Sequence, residues 1–194
     1  MPAITDMFAA YLSERFKPAI FGPAATVHAA AAVWAAGTGV QAASLATTFG
    51  LAVLLLLQFR LWDDLEDRER DRRLHPSRVL VRADPAPFRY ACMMLAAANL
   101  VLLVIAGSPA AAQGLICLDV LFWIAYGPVR RRLSDRIWRF QILLLKYPVF
   151  VGLLAVAAGT PIRMRLFMSA AAVYLCACAY EALHDRQIPL RATL

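Results

Sequence analysis

The chain has few charged residues: only 17% of its 194 residues are Asp, Glu, Lys or Arg, against about a quarter in soluble domains. It also has only three histidines and four cysteines. The cysteines lie inside apolar runs without the spacing of a zinc or redox motif, and we interpret them as packing residues (Cys92, Cys117, Cys176 and Cys178). The net charge is +7, but the basic residues are spread between apolar blocks, which argues against a nucleic-acid partner.

Long apolar blocks dominate the remainder of the sequence. The chain is 61% hydrophobic, with a mean hydropathy of +0.61. Six segments are each close to the ~20 residues that a helix needs to cross a bilayer, near 18–36, 43–62, 88–106, 110–128, 139–158 and 164–182. Short turns are predicted at 37–39, 107–109 and 159–161. The sequence therefore predicts an all-α fold, a polytopic bundle of six transmembrane helices in which residues 1–194 form a single domain.

The distribution of basic residues predicts the orientation of this bundle. Seventeen of the 20 basic residues lie on one side, whereas only Arg163 and Arg165 lie opposite and Lys146 falls inside a span. Because short cytoplasmic loops are enriched in Lys and Arg, both termini and both charged loops are expected to face the cytoplasm. The predicted location is a bacterial inner membrane. Acidic residues precede the first block, unlike in a signal peptide, so we interpret that block as a retained helix.

An acidic stretch, "DDLEDRERD" at 63–71, follows the second apolar block. Its residues Asp64, Asp67 and Asp71 have i, i+3, i+7 spacing, which places the three carboxylates on one helix face. Such carboxylates repel one another unless a cation lies among them, and Mg²⁺ is usually held by a few carboxylates plus substrate phosphates. The alternative is a self-neutralised helix, because three pairs have the favourable i, i+4 order (Asp64 with Arg68, Glu66 with Arg70, Glu69 with Arg73).

Two further groups of residues are predicted at the same membrane boundary. The last apolar block ends with Glu181 and Asp185, one helical turn apart. Tyr126 and the run Arg130, Arg131 and Arg132 follow the fourth block. Acids that can hold Mg²⁺ and arginines that can hold phosphate are the two halves of a diphosphate site.

These residues resemble motifs of the UbiA-type membrane prenyltransferase family. "DDLEDRERD" resembles the family's first motif, Asn-Asp-x-x-Asp-x-x-x-Asp, with Asp63 in place of the usual Asn. "HPSRVL" at 75–80 resembles the basic segment after that motif, although Val79 stands where Pro often follows the Arg. "YGPVRRRL" at 126–133 resembles the cluster that closes the family's fourth helix. "YEALHD" at 180–185 resembles the second acidic motif, with Glu181 replacing an Asp.

The resemblance implies a Mg²⁺-dependent transfer of a prenyl group from an isoprenoid diphosphate to a lipophilic or aromatic acceptor. It implies that Mg²⁺ is held by Asp64, Asp67, Asp71, Glu181 and Asp185, the first three being the catalytic residues. It also implies that the diphosphate is bound by Arg78, Tyr126, Arg130, Arg131, Arg132 and Lys146. The family fold has nine helices, so a six-helix bundle surrounded by membrane lipid is expected to need a protein partner or a homo-oligomer to complete it.

Two alternative functions stay open at this point. The chain could instead be a non-catalytic UbiA-like membrane subunit that packs within a larger complex, or a transporter or channel, which Asp119 and Lys146 could serve. Asp119 and Lys146 lie within predicted spans, where charged residues are costly and usually have a partner; they could pair with each other, or Lys146 could contact the diphosphate. Four polar residues inside the predicted spans are expected to form hydrogen bonds between helices: His28, Gln58, Asn99 and Gln141.

Overall fold

All the regular elements in the described part of the chain are helices. The computed structural model describes residues 4–37, 42–130, 142–160 and 163–185. The α-helices are α1 (Ile4–Arg15), α2 (Pro18–Ala36), α3 (Ala42–Glu66), α4 (Arg68–Leu74), α5 (Val79–Arg82), α6 (Ala86–Ile105), α7 (Pro109–Ile124), α8 (Lys146–Ala157) and α9 (Met164–Asp185). A π-helical turn, Ala125–Val129, extends α7, and a 3₁₀ turn, Leu143–Leu145, precedes α8.

Five of these helices are long and apolar enough to cross a membrane, as expected for an integral membrane protein. They are Pro18–Ala36, Leu45–Glu66, Ala86–Ile105, Pro109–Gly127 and Met164–Leu183, close to five of the predicted spans. The remaining prediction, 139–158, begins outside the described residues, and its described part is a shorter apolar helix, Leu143–Ala157. Gly107 and Gly159 follow α6 and α8 with φ of +72° and +76°, a conformation that glycine adopts at little cost. The predicted turn at 107–109 is therefore present and the turn at 159–161 begins where predicted, whereas most of the turn at 37–39 lies outside the described residues.

The helices pack with α2 and α8 near the centre of the bundle. α2 contacts α3, α8 and α9, while α3 packs against α6, and α7 lies between α6 and α8. Phe59, Phe122 and Phe150 meet in the core with ring centroids 5.1–5.3 Å apart. Large apolar side chains such as Ile105 and Trp123 are exposed on the outside, as lipid-facing positions are.

The acidic part of α3 lies at the opposite end of the bundle from the end of α2. Gly37, which follows α2, lies beside Arg165 at the start of α9. At the other end, α1 and the extramembrane helices α4 and α5 pack together. The charged residues that follow α3, together with Arg130 after α7, therefore lie at one membrane boundary, where the connectivity of the spans also brings the end of α9.

A glycine sets the close contact between α7 and α8. A Cβ atom at Gly114 would lie 2.8 Å from Cδ2 of Leu153, a buried side chain. We expect Gly114→Ala to lower the free energy of unfolding by about 1–2 kcal/mol, because overpacking outweighs the helix propensity of alanine. Adding Leu153→Ala should remove the clash, and Gly152→Ala, which meets nothing within 4 Å, is the control. Thermal melts of the detergent-solubilised chain would measure this; equal melting temperatures for Gly114→Ala and Gly152→Ala would contradict the close packing.

Candidate functional site

The acidic stretch continues the helical hydrogen-bonding pattern beyond the second span. The backbone N–H of Asp67 donates to the carbonyl of Asp63 at 2.9 Å, and that of Asp71 donates to the carbonyl of Asp67 at 2.8 Å. Asp63, Asp67 and Asp71 therefore follow one another at intervals of one turn, across the junction between α3 and α4. Their side chains nevertheless find partners on different elements.

Asp63 and Asp67 face the ends of α7 and α8. The carboxylate of Asp63 accepts hydrogen bonds from the Tyr126 hydroxyl and from Nζ of Lys146, and it forms an ion pair with that lysine. Asp67 accepts a hydrogen bond from Nη2 of Arg130 at 2.5 Å, and the Arg130 guanidinium lies 5.9 Å from the centre of the Tyr126 ring. Three helices, α3, α7 with its π-helical extension, and α8, thus contribute to one group of two acids, two cations and a tyrosine.

Asp64, although adjacent in sequence, faces α1. It accepts a hydrogen bond from the Tyr11 hydroxyl at 3.0 Å and two from Arg15, at 3.0 Å from Nε and 2.5 Å from Nη2. Arg60, one turn earlier on α3, also contacts it at 3.1 Å. Two guanidinium groups and a phenol therefore surround this carboxylate, which is only 4% exposed.

The segment after α4, which includes α5, is hydrogen-bonded to both α4 and α1. Arg68 donates hydrogen bonds to carbonyls at the end of α5, at 2.9 Å to Leu80 and 3.0 Å to Ala83. Glu14 of α1 accepts a hydrogen bond at 3.0 Å from the backbone N–H of Val79, in the first turn of α5. These bonds replace the helix-end contacts that water would otherwise make, and they hold the segment that carries Arg78.

The three aspartates predicted to share a magnesium ion each contact a basic residue instead. Asp64 contacts Arg15 and Arg60, Asp67 contacts Arg130, and Asp71 forms an ion pair with Arg78. Among the residues that the structure describes, no three His, Cys, Asp or Glu side chains form a group that could hold a metal ion. Because a charge with little access to water needs compensation, these cations neutralise the acids in the free chain.

The second acidic segment is represented among the described residues by Glu181 of α9. Tyr147 of α8 interacts electrostatically with both the Glu181 and the Asp63 carboxylates, and α9 packs against α8. The predictions for Arg131 and Arg132, and for the side chain of Asp185, lie outside the described residues. Glu181 therefore remains a candidate ligand on the second side of the site.

A small cavity of about 30 Å³ lies beside this group. Its lining combines four aromatic residues (Phe21, Phe59, Tyr147 and Phe150), Leu56 and three charged residues (Arg60, Asp63 and Lys146). This volume suits one or two water molecules and is far below the roughly 300–1,000 Å³ of pockets for larger organic ligands. The cavity, with its mixed apolar and charged lining, is thus too small to be a groove for a prenyl tail.

Asp119 and Lys146, which could have paired with each other, have different partners. Asp119 accepts a hydrogen bond from Nε2 of Gln58 at 2.9 Å, and Gln58 in turn accepts one from Asn99 at 2.8 Å. Lys146 reaches Asp63. The predicted interhelical hydrogen bonds of Gln58 and Asn99 are confirmed, and they hold α3, α6 and α7 together. For His28 the prediction is wrong, because Nδ1 of its ring bonds to the carbonyl of Ala24 in the same helix, and Gln141 lies outside the described residues.

Sequence reasoning missed the role of α1. Tyr11 and Arg15 contact Asp64 from α1, a segment that hydropathy marks only as the residues before the first span. The available signal was Tyr11 and Arg15 at i, i+4 spacing, which places them on one helix face, but nothing local identifies a carboxylate 49 residues away as the partner.

Tyr11 makes the packing of α1 sensitive to alkaline pH. Burial and the Asp64 carboxylate both raise the pKa of Tyr11 above its usual value. A raised pKa in the folded state stabilises the fold fully below pH ~10 and loses this contribution as the pH rises above that value.

We expect Tyr11→Phe to lower the free energy of unfolding by about 1–2 kcal/mol at pH 7, because Asp64 loses a buried hydrogen bond. The variant should also lose less stability than the parent between pH 9 and about 11. Thermal melts across this range test both effects, with Tyr90→Phe, at an exposed position, as the matched control. Equal alkaline sensitivity of Tyr11→Phe and the parent chain would contradict this account of Tyr11.

Comparison of the chain with protein-family models, curated proteins and solved structures gives no match.

Proposed function

We propose that this chain is a UbiA-like integral membrane protein that transfers a prenyl group from an isoprenoid diphosphate to a lipophilic or aromatic acceptor, with Mg²⁺ as cofactor. The observation that supports the proposal is the meeting of side chains from three helices at one end of the bundle: Asp63, Asp67, Tyr126, Arg130 and Lys146. Carboxylates for a metal and cations for a diphosphate are adjacent there, and the apolar spans begin directly beneath them.

The donor set fits Mg²⁺ when a diphosphate is bound with it. Mg²⁺ keeps several waters and takes one or two carboxylates plus substrate phosphates, and Asp63 and Asp67 lie one turn apart on the same side. When bound, Mg²⁺ would neutralise charge on the departing diphosphate. Glu181, near Tyr147, is the candidate carboxylate from the second acidic segment.

The residues of the chain would act by exchanging partners. Arg130 and Lys146, which neutralise Asp67 and Asp63 in the free chain, would turn to phosphate oxygens, for which guanidinium and ammonium groups are suitable donors. The Tyr126 hydroxyl would then donate to the diphosphate or keep Asp63 in place. Preorganised donors of this kind stabilise the charge that develops on a leaving group.

We further propose that the charged end faces the cytoplasm in a bacterial inner membrane, and that a protein partner or a second copy completes the bundle. Purified chain supplied with Mg²⁺, an isoprenoid diphosphate and candidate acceptors should release pyrophosphate, and EDTA should stop the release. A chain that binds the substrate and releases no pyrophosphate with any acceptor or with water would contradict prenyl transfer.

A second candidate function is favoured by the same ion pairs. Because Asp63, Asp64, Asp67 and Asp71 all contact cations of the chain itself, the network can also serve as a purely structural clamp in a non-catalytic membrane subunit. Two results together would support this function over catalysis: no metal-dependent binding of diphosphates, and a stable stoichiometric partner that stays bound after mild solubilisation.

A further inference from the structure

The cavity beside Asp63 is lined by two basic side chains, and the single acidic side chain in the lining does not fully neutralise their charge. Arg60, Asp63 and Lys146 line it, and Asp63 forms an ion pair with Lys146. Arg60 has only a share of Asp64, because Arg15 donates to both oxygens of that carboxylate whereas Arg60 makes a single contact at 3.1 Å.

Arg60, which lines the cavity, also carries a buried donor. Within the described residues, its Nε–H has no hydrogen-bond partner although the atom is buried. A buried donor without a partner is costly, and in native proteins such a group calls for a specific explanation. An anionic oxygen in the adjacent cavity would satisfy it with a charge-assisted bond.

Lys146 supplies the second donor. Its side chain is only 5% exposed, and Nζ lies 5.5 Å from the centre of the Tyr147 ring. The ammonium group has three donors on a flexible stem, so it can turn from Asp63 towards the cavity. Asp63 therefore competes with any anion that enters.

We propose that this cavity is an anion subsite, in which Arg60 and Lys146 hold one phosphoryl group and Asp63 controls access by competing for Lys146. At about 30 Å³, the space admits a phosphoryl group only when the Asp63–Lys146 contact opens. The inference rests on the proposed function for the choice of a diphosphate as ligand. It adds Arg60, a residue outside the acidic and Tyr-Arg motifs, as a binding residue.

Pyrophosphate binding to the full-length, detergent-purified chain tests the subsite by calorimetry in EDTA, without the metal. We expect Arg60→Gln to weaken binding by about tenfold or more, and Arg60→Lys to weaken it less, because the charge remains but the planar donor set is lost. Asp63→Asn should tighten binding, since Lys146 is then released from a charged competitor. Arg72→Gln, at an exposed arginine of the same end paired with Glu69, is the matched control.

The outcomes separate the subsite from the reaction. Equal affinities of the Arg60→Gln and Arg72→Gln variants, or no gain in Asp63→Asn, would overturn the subsite even if Mg²⁺-dependent turnover is present. Arg60-dependent binding without any turnover would support the subsite and count against prenyl transfer. Mixed micelles of detergent and phosphatidylglycerol give a second arm: competition with pyrophosphate would identify a phospholipid headgroup as the occupant, and no competition would identify the diphosphate group. Unchanged circular dichroism and gel-filtration profiles would exclude misfolding of the Arg60 variants.

Discussion

Replacing Asp67 by asparagine is expected to lower Mg²⁺-dependent pyrophosphate release by about 100-fold or more, the effect of removing one group that stabilises transition-state charge. Asparagine keeps the size of the side chain and an oxygen acceptor, but it loses the negative charge that Mg²⁺ requires. The measurement is the initial rate of pyrophosphate release from an isoprenoid diphosphate, with the parent chain and the variant compared at saturating Mg²⁺.

The ion pair between Asp67 and Arg130 is partly exposed to solvent, so Asp67→Asn should affect the reaction without unfolding the chain. The Asp67 side chain is 29% exposed and that of Arg130 is 24% exposed, so loss of their ion pair should cost no more than about 1 kcal/mol of stability. Glu69→Gln removes an acid from the same stretch at a more exposed position and should leave the rate unchanged. Activity that survives in Asp67→Asn would remove this residue from the site, and equal losses in both variants would indicate a general effect of charge.

The positions of the spans can be predicted from the sequence because hydropathy and helix-end residues act locally. The sequence predicts the first span at 18–36 and α2 is Pro18–Ala36, since proline begins a helix well and Gly37 ends it. The third predicted span, 88–106, differs from α6 by only one or two residues at each end. Burial in lipid needs only a long apolar stretch, so no knowledge of neighbouring helices is required.

The partners of the charged residues cannot be predicted in this way, because they depend on how the helices are rotated about their axes. Helical spacing puts Asp64 and Asp67 on one face, yet Asp64 contacts α1 and Asp67 contacts Arg130 after α7. Two charges in neighbouring spans suggest that Asp119 and Lys146 pair. In the structure Lys146 reaches Asp63, 83 residues away in sequence.

The role of Asp63 could not be predicted from the sequence either. In the resemblance to the UbiA-type motif, Asp63 stands where asparagine is usual, so it is a departure from the motif and not a candidate for the site. The structure gives its charge a partner, because Lys146 and Tyr126 both donate to its carboxylate. The extra acid and the lysine within the fifth predicted span are therefore explained together.

Lys146→Met should be the most destabilising single substitution at the charged end. It would remove the ion-pair partner that the described part of the chain gives to Asp63, whose side chain is 15% exposed. Removing one partner of a buried ion pair typically costs about 3–5 kcal/mol, which corresponds to a fall in melting temperature of about 10 °C for a chain of this length. Methionine preserves the length and packing of the lysine stem, so the measured loss would report the charge.

Adding Asp63→Asn to Lys146→Met should restore most of this stability, because the uncompensated charge is removed while an oxygen remains to accept the Tyr126 hydroxyl bond. The exposed pair of Glu69 and Arg72, with side chains 67% and 51% exposed, is the control: Arg72→Met should change stability by less than about 1 kcal/mol. Thermal melts of the parent chain and these variants measure the coupling. No loss in Lys146→Met, or no recovery in the double variant, would show that the pair does not stabilise the fold.

The restored double variant also separates stability from function. If the ion pair serves only as a structural clamp, the chain that carries both Asp63→Asn and Lys146→Met should behave like the parent in every assay. If Lys146 turns to a phosphate oxygen, the same stable chain should bind pyrophosphate more weakly than the parent, because one of the two cationic donors of the cavity is gone. Stability regained without diphosphate binding would therefore mean that Lys146 exchanges partners, and that its bond to Asp63 belongs to the unliganded state.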